Sequence, residues 1–163
     1  MMNRDRDAVR KLLADAVEDG EIVCFSGAGL SEPSGVGTFR DPGAGWWTRY
    51  DPMVLASPRG FADDPELVMR WYAARRLQMA RAEPNAAHRI LASRTGIINV
   101  TQNTDDLLER AGARHLLRLH GDITADRCHA DCGHVERIDL AHPPTHRPCP
   151  RCRHSAMRPT VVW

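Results

Sequence analysis

Apolar positions change period several times along this 163-residue chain. Between residues 4 and 18 they fall at Val9, Leu12, Leu13, Ala16 and Val17, the spacing of one helix face. Gly20 ends that stretch, and Glu21-Ile22-Val23-Cys24-Phe25 reads as a short buried strand, with Cys24 a small buried hydrophobe. Asp63-Asp64-Pro65 puts acids and an early proline at a helix start. The pattern carries that helix to about Arg81, with Val68, Tyr72, Arg75 and Met79 along one face. Pro84 opens another helix through Leu91. Residues 97–101 read as a second strand, 104–111 as a short helix and 116–119 as a third strand. Strands alternating with helices predict an α/β fold on a parallel, Rossmann-like sheet.

Two stretches break this rhythm. Residues 33–48 hold four glycines and two prolines and predict a long mobile loop. Residues 124–154 are rich in Cys, His, Pro and Gly and lack the apolar residues for a core, so they need a metal to fold. The predicted organisation is a Rossmann-like nucleotide-binding domain over 1–123, interrupted by a helical and loop region at about 33–95. A metal-binding module follows over 124–157, and 158–163 begins a strand returning to the first domain.

Bulk properties narrow the function. A net charge of +1 gives no electrostatic case for a nucleic-acid or anionic-membrane partner. No apolar run approaches the ~20 residues that span a bilayer. The first ten residues are charged and lack the apolar segment of a secretion signal, which predicts a cytoplasmic protein. Five cysteines in such a chain favour metal over disulfides.

Candidate chemistry sits at four places. Gly27-Ala28-Gly29 ends the first strand, where free backbone N–H groups suit a pyrophosphate; with Glu32 in place of a third glycine, a plain tight turn reads equally well. Ser31, Thr38 and Arg40 add groups suited to ribose and phosphate, or in the case of Arg40 a solvated loop charge. Gln102, Asn103 and Asp105 follow the second strand at the carboxyl edge of the sheet, where open α/β sheets bind ligands. The competing reading there is that Asn103 or Thr104 simply caps the next helix. His120 follows the third strand, as a general base near neutral pH or as a structural hydrogen-bonder. Cys128, Cys132, Cys149 and Cys152 form two close pairs separated by sixteen residues, the pattern of a closed structural zinc site; His129, His134, His146 and His154 are possible substitute ligands.

In this order the elements resemble the sirtuins, NAD-dependent protein lysine deacylases, from about Glu21 to Trp163. Residues 27–40 resemble the family's GAGIS–SGIPTFR segment, 101–105 its TQNID, Leu119-His120-Gly121 its catalytic histidine motif, and 158–163 the strand leading into FGE. The resemblance implies that Gly27, Ala28, Gly29, Ser31, Thr38, Phe39 and Arg40 bind NAD, with Phe39 and Arg40 on a mobile cofactor loop. It implies that Gln102, Asn103 and Asp105 hold the nicotinamide ribose and carboxamide, and that His120 is the general base. NAD is then the cosubstrate, one zinc is structural, and acylated-lysine proteins or peptides are the partners. Tyr72 and Arg75 are similar to the Tyr-x-x-Arg of the class III branch, which removes succinyl and malonyl groups. One turn apart, they would present a hydroxyl and a guanidinium to a terminal carboxylate.

Thr104, Gly37 and Pro33 depart from the family's isoleucine, proline and glutamate. The FGE and GTS-type motifs expected beyond Trp163 lie outside this sequence, so the expectation for the chain alone is weak or no turnover. Two other readings stand beside the deacylase: a mono-ADP-ribosyltransferase, and a non-catalytic zinc ribbon that binds protein.

Overall fold

The computed structural model describes residues 11, 12, 14–16, 22–37 and 51–163. Thr38, Phe39, Arg40 and most of the loop predicted over 33–48 lie outside the described residues. Of the helix predicted over 4–18, residues 11, 12 and 14–16 are described and helical.

Three parallel strands form the main sheet in the order β1 (Ile22–Ser26), β2 (Ile97–Thr101), β3 (Leu116–Arg118). The register aligns Ser26 with Thr101 and Thr101 with Arg118, so the three strands end level. Two backbone bonds carry the ladder one residue further, Gln102 N–H to Ser26 O and Leu119 N–H to Thr101 O, each 2.9 Å. The glycine turn, the Gln102–Asp105 segment and His120 therefore leave a single rim.

Alternation along the strands sorts their side chains. Ile97, Asn99 and Thr101 of β2 are buried, whereas Val23, Phe25, Ile98 and Leu117 on the other face are 62, 60, 48 and 56% exposed. Among the described residues, the strand predicted as buried is thus covered on one side, and Cys24 is partly exposed. Parallel strands are usually covered on both faces.

Helices α1 (Pro52–Leu55), α2 (Pro58–Asp63) and α3 (Pro65–Arg81) build the lobe that holds the core. The sequence reading assigned neither α1 nor α2. Ser57 caps α2 by accepting from Gly60 N–H at 2.9 Å, and Asp64 caps α3 by accepting from Leu67 N–H at 2.9 Å. A Cβ at Gly60 would stand 2.1 Å from Val54 O, so α1 can cross there only over glycine. Leu55, Phe61, Val68, Met69, Tyr72 and Met79 pack with Ile123 and Val161 in one cluster. Helix α4 (Ala86–Ser93) starts from a reciprocal cap between Asn85 and His88. Helix α5 (Leu107–Arg110) is shorter than predicted, because the Asp105 carboxylate takes Leu107 N–H at 3.2 Å and ties 105–107 into a turn of its own.

Residues beyond 124 carry more regular structure than their composition predicts. Strands β4 (Ala125–Cys128), β5 (Val135–Arg137) and β6 (Met157–Pro159) form an antiparallel sheet with β4 central. Met157–Pro159 closes this small sheet, and the chain then turns back to the rim, where Val162 N–H donates to His120 O at 3.0 Å. Arg76 of α3 fastens the lobe to β4. Fully buried, it donates from Nε to Ile123 O at 2.9 Å and from Nη2 to Asp126 Oδ1 at 2.6 Å, while Arg147 holds the other Asp126 oxygen at 3.1 Å.

Candidate active site

A cavity of about 190 Å³ opens where the rim meets the helical lobe. Ala28 and Ser31 reach it from the glycine turn, Gln102, Asn103 and Asp105 from the end of β2, and His120 from the end of β3. Tyr72 and Arg75 enter from α3, and Trp163 closes one side. Eight of the predicted site residues line this space, Gly27 and Gly29 flank Ala28 in sequence, and Thr38, Phe39 and Arg40 are outside the described residues.

The glycine turn is a short 3-10 segment, Ala28–Leu30, rather than the start of a long helix. A Cβ added at Gly27 or Gly29 would meet nothing within 4 Å. Neither glycine has a positive φ. Protein packing and backbone strain therefore do not demand glycine here, and the space in front of the turn is left for something else to approach. That suits a backbone-held phosphate.

Ser31, 1% exposed, is the hub of the polar network. Its hydroxyl donates to Asp105 Oδ2 at 2.9 Å and accepts from Asn103 Nδ2 at 3.1 Å. Asn103 also donates to Gly27 O at 3.0 Å, which locks the β2 rim to the glycine turn. Capping, the alternative reading for Asn103, is not its role. His88 completes the network and was not among the predicted site residues. Its Nδ1 lies 3.2 Å from Asn85 N–H and must accept, so Nε2 carries the proton and faces Ser31 Oγ at 3.4 Å. Burial lowers the His88 pKa, which keeps the ring neutral. The Asn85-x-x-His88 spacing of a helix cap is a sequence signal that could have found it.

His120 is exposed, with Nδ1 3.0 Å from Gln102 O. A carbonyl can only accept, so Nδ1 is protonated and Nε2 remains the basic nitrogen. Gly121 holds the ring's backbone in place. Its φ is +76°, and a Cβ there would lie 2.2 Å from Thr160 O, where the returning segment crosses.

Tyr72 is 3% exposed, and burial raises its pKa, so it stays a neutral donor. Arg75 is half-buried, and burial lowers its pKa while Asp105 and Tyr72 oppose that shift. A guanidinium nevertheless remains charged throughout the physiological range. Among the described residues, Arg75 and Tyr72 thus give the cavity a cation and a phenolic O–H on the α3 side.

The four cysteines converge away from this cavity. Their sulfurs lie within 4.8 Å of one another, with Cys128–Cys152 at 3.7 Å and Cys132–Cys149 at 3.6 Å. Zn–S bonds of about 2.3 Å in a tetrahedron set sulfurs about 3.8 Å apart, so the donor set fits a closed zinc site. The histidines considered as substitutes are occupied or elsewhere: His129 packs on Phe61 at 4.9 Å and His134 pairs with Glu136 at 3.2 Å.

Comparison with known proteins gives consistent results. Residues 27–163 match the model of the Sir2 family. NAD-dependent protein deacylase 1 of Pseudomonas aeruginosa is 48% identical over 171 residues, covering 96% of this chain and 65% of that protein. NAD-dependent protein deacylase 1 of Archaeoglobus fulgidus is 43% identical over 159 residues, covering 94% and 63%. A solved Sir2 homologue in complex with NAD superposes with a TM-score of 0.80 at 39% identity, covering 94% of this chain and 61% of that one. A Sir2 bound to a deacetylated p53 peptide and an acetyl ADP-ribose is 28% identical with a TM-score of 0.75, covering 94% and 64%. The chain spans between 58 and 65% of the length of the curated relatives it matches.

Proposed function

The chain belongs to the Sir2 family, and on that premise we propose that it carries the catalytic histidine, the nicotinamide-ribose pocket and the acyl-reading face of an NAD-dependent protein lysine deacylase. The observation that carries this reading is the convergence of His120, the Ser31–Asn103–Asp105 network and the Tyr72–Arg75 face on one cavity. Residues 1–123 supply the nucleotide side, with Thr38, Phe39 and Arg40 on a cofactor loop, and 124–157 the zinc module.

Bound NAD supplies a ribose carbon that becomes electrophilic as nicotinamide leaves. The open front of Gly27 and Gly29 admits the phosphates, and Gln102, Asn103 and Asp105 orient the ribose and carboxamide. His120, held at Nδ1 by Gln102 O, keeps Nε2 ready to take a proton from the sugar's hydroxyls. The buried side of the cavity excludes water from the reacting groups. Tyr72 and Arg75 favour an acyl group ending in a carboxylate, so succinyl- and malonyl-lysine in proteins or peptides are the proposed substrates. A mono-ADP-ribosyltransferase has no need of that pair, and a purely structural zinc ribbon has no need of His120.

The test is nicotinamide release from NAD with a succinyl-lysine peptide, comparing the parent with His120→Ala. Loss of release with zinc content and melting temperature unchanged supports the reading. Release that survives the substitution would sink it.

A further inference from the structure

The indole Nε1 of Trp163 lies 2.8 Å from the Tyr72 hydroxyl oxygen. Indole N–H only donates, so Trp163 occupies one acceptor position of that oxygen. The phenolic proton must then point away from Trp163. Among the described residues no acceptor lies within hydrogen-bond distance of it, although Tyr72 is 3% exposed. A buried O–H without an acceptor is costly, which makes the missing acceptor a candidate ligand atom. Both residues and Arg75 line the same cavity.

Trp163 is itself held firmly. The Arg158 guanidinium sits 4.5 Å over its ring, and the Phe61 ring centroid is 5.5 Å away. Arg158 is tied in turn by bonds from Nη1 to Pro159 O at 3.0 Å and Val161 O at 3.1 Å. The indole therefore acts as a fixed donor against which Tyr72 is oriented.

We propose that Trp163 is a positioning residue for acyl selection: its N–H fixes the Tyr72 hydroxyl so that the phenolic proton, beside Arg75, is presented to an anionic acyl terminus. This rests on the deacylase reading and adds to it the residue that sets the direction of the donor.

The experiment is a double-mutant cycle read by calorimetry, with succinyl-lysine and acetyl-lysine peptides titrated into the NAD-saturated protein. Trp163→Phe weakens the succinyl-lysine peptide about tenfold, the scale of one hydrogen bond to a charged group, and leaves the acetyl-lysine peptide within about twofold. In a Tyr72→Phe background the second change adds nothing, because Trp163 acts through the hydroxyl. Placing benzothienylalanine at position 163, isosteric with Trp but lacking the N–H, gives the same result without altering the packing. Equal weakening of both peptides, or effects that add in the double variant, overturn the role of Trp163 while the deacylase reading survives. A parent that binds acetyl-lysine and not succinyl-lysine overturns the carboxylate selection too. A parent that binds neither peptide overturns both proposals.

Discussion

The Ser31 hydroxyl donates to Asp105 across 74 residues of sequence, at 2.9 Å, and joins the glycine turn to the end of β2. Ser31→Ala removes the shared partner of Asp105, Asn103 and His88 at a site that is almost completely buried. We expect a loss of about 2 kcal/mol in folding stability, the cost of stranding buried polar groups. Urea denaturation would measure it. NAD affinity should fall as well, because Asn103 would lose one of the two bonds that orient it.

Acid should weaken the same region through His88. Burial lowers its folded pKa below the ordinary value of about 6.5. Above that value the ring is neutral in the folded and unfolded chain alike. Below it the unfolded chain takes up the proton more readily, so stability falls as pH drops. A protonated Nδ1 would also face the Asn85 N–H it now accepts from. Melting temperatures between pH 7.5 and 5 should decline less steeply in His88→Gln, which keeps an acceptor for the cap and cannot titrate.

Gly121→Ala tests the crossing beside the proposed base. The left-handed φ and the 2.2 Å approach to Thr160 O both penalise a Cβ, and backbone cannot move aside cheaply. We expect a destabilisation of about 2–4 kcal/mol, summing the left-handed penalty and overpacking. A variant that melts like the parent would show that the segment at 160 is not fixed against the histidine.

Zinc removal should act at a distance from the cavity. Chelation ought to lower the melting temperature and release one equivalent of zinc per chain, with loss of order in the β4–β6 sheet. Because Arg76 joins that sheet to α3 through Asp126, the Tyr72–Arg75 face should loosen at the same time. An unchanged melt after complete chelation would show that the cluster is not a structural metal site.

The sequence made the rim legible because strand ends and chemistry coincide there. Each parallel strand hands its next residues to one edge, so the pattern of strands alone places Gly27, Gln102 and His120 there. The zinc cluster was equally readable, since paired cysteines have few other uses in such a context. Helices α1 and α2 went unassigned because four and six residues are too short to show an apolar period; Pro58 serves as a helix start and Gly60 as a crossing point. His88 and Trp163 were passed over for a different reason. Their importance lies in partners 57 and 91 residues away, and no local pattern encodes that.

The apolar flank of the parallel sheet bears on how this polypeptide should behave in water. Val23, Phe25, Ile98 and Leu117 make an exposed apolar strip on one face of the sheet, and such strips attract dyes, detergents and neighbouring molecules. Sedimentation should therefore depend on concentration, and enzymology will be most faithful in dilute samples or where a complementary surface shields that flank.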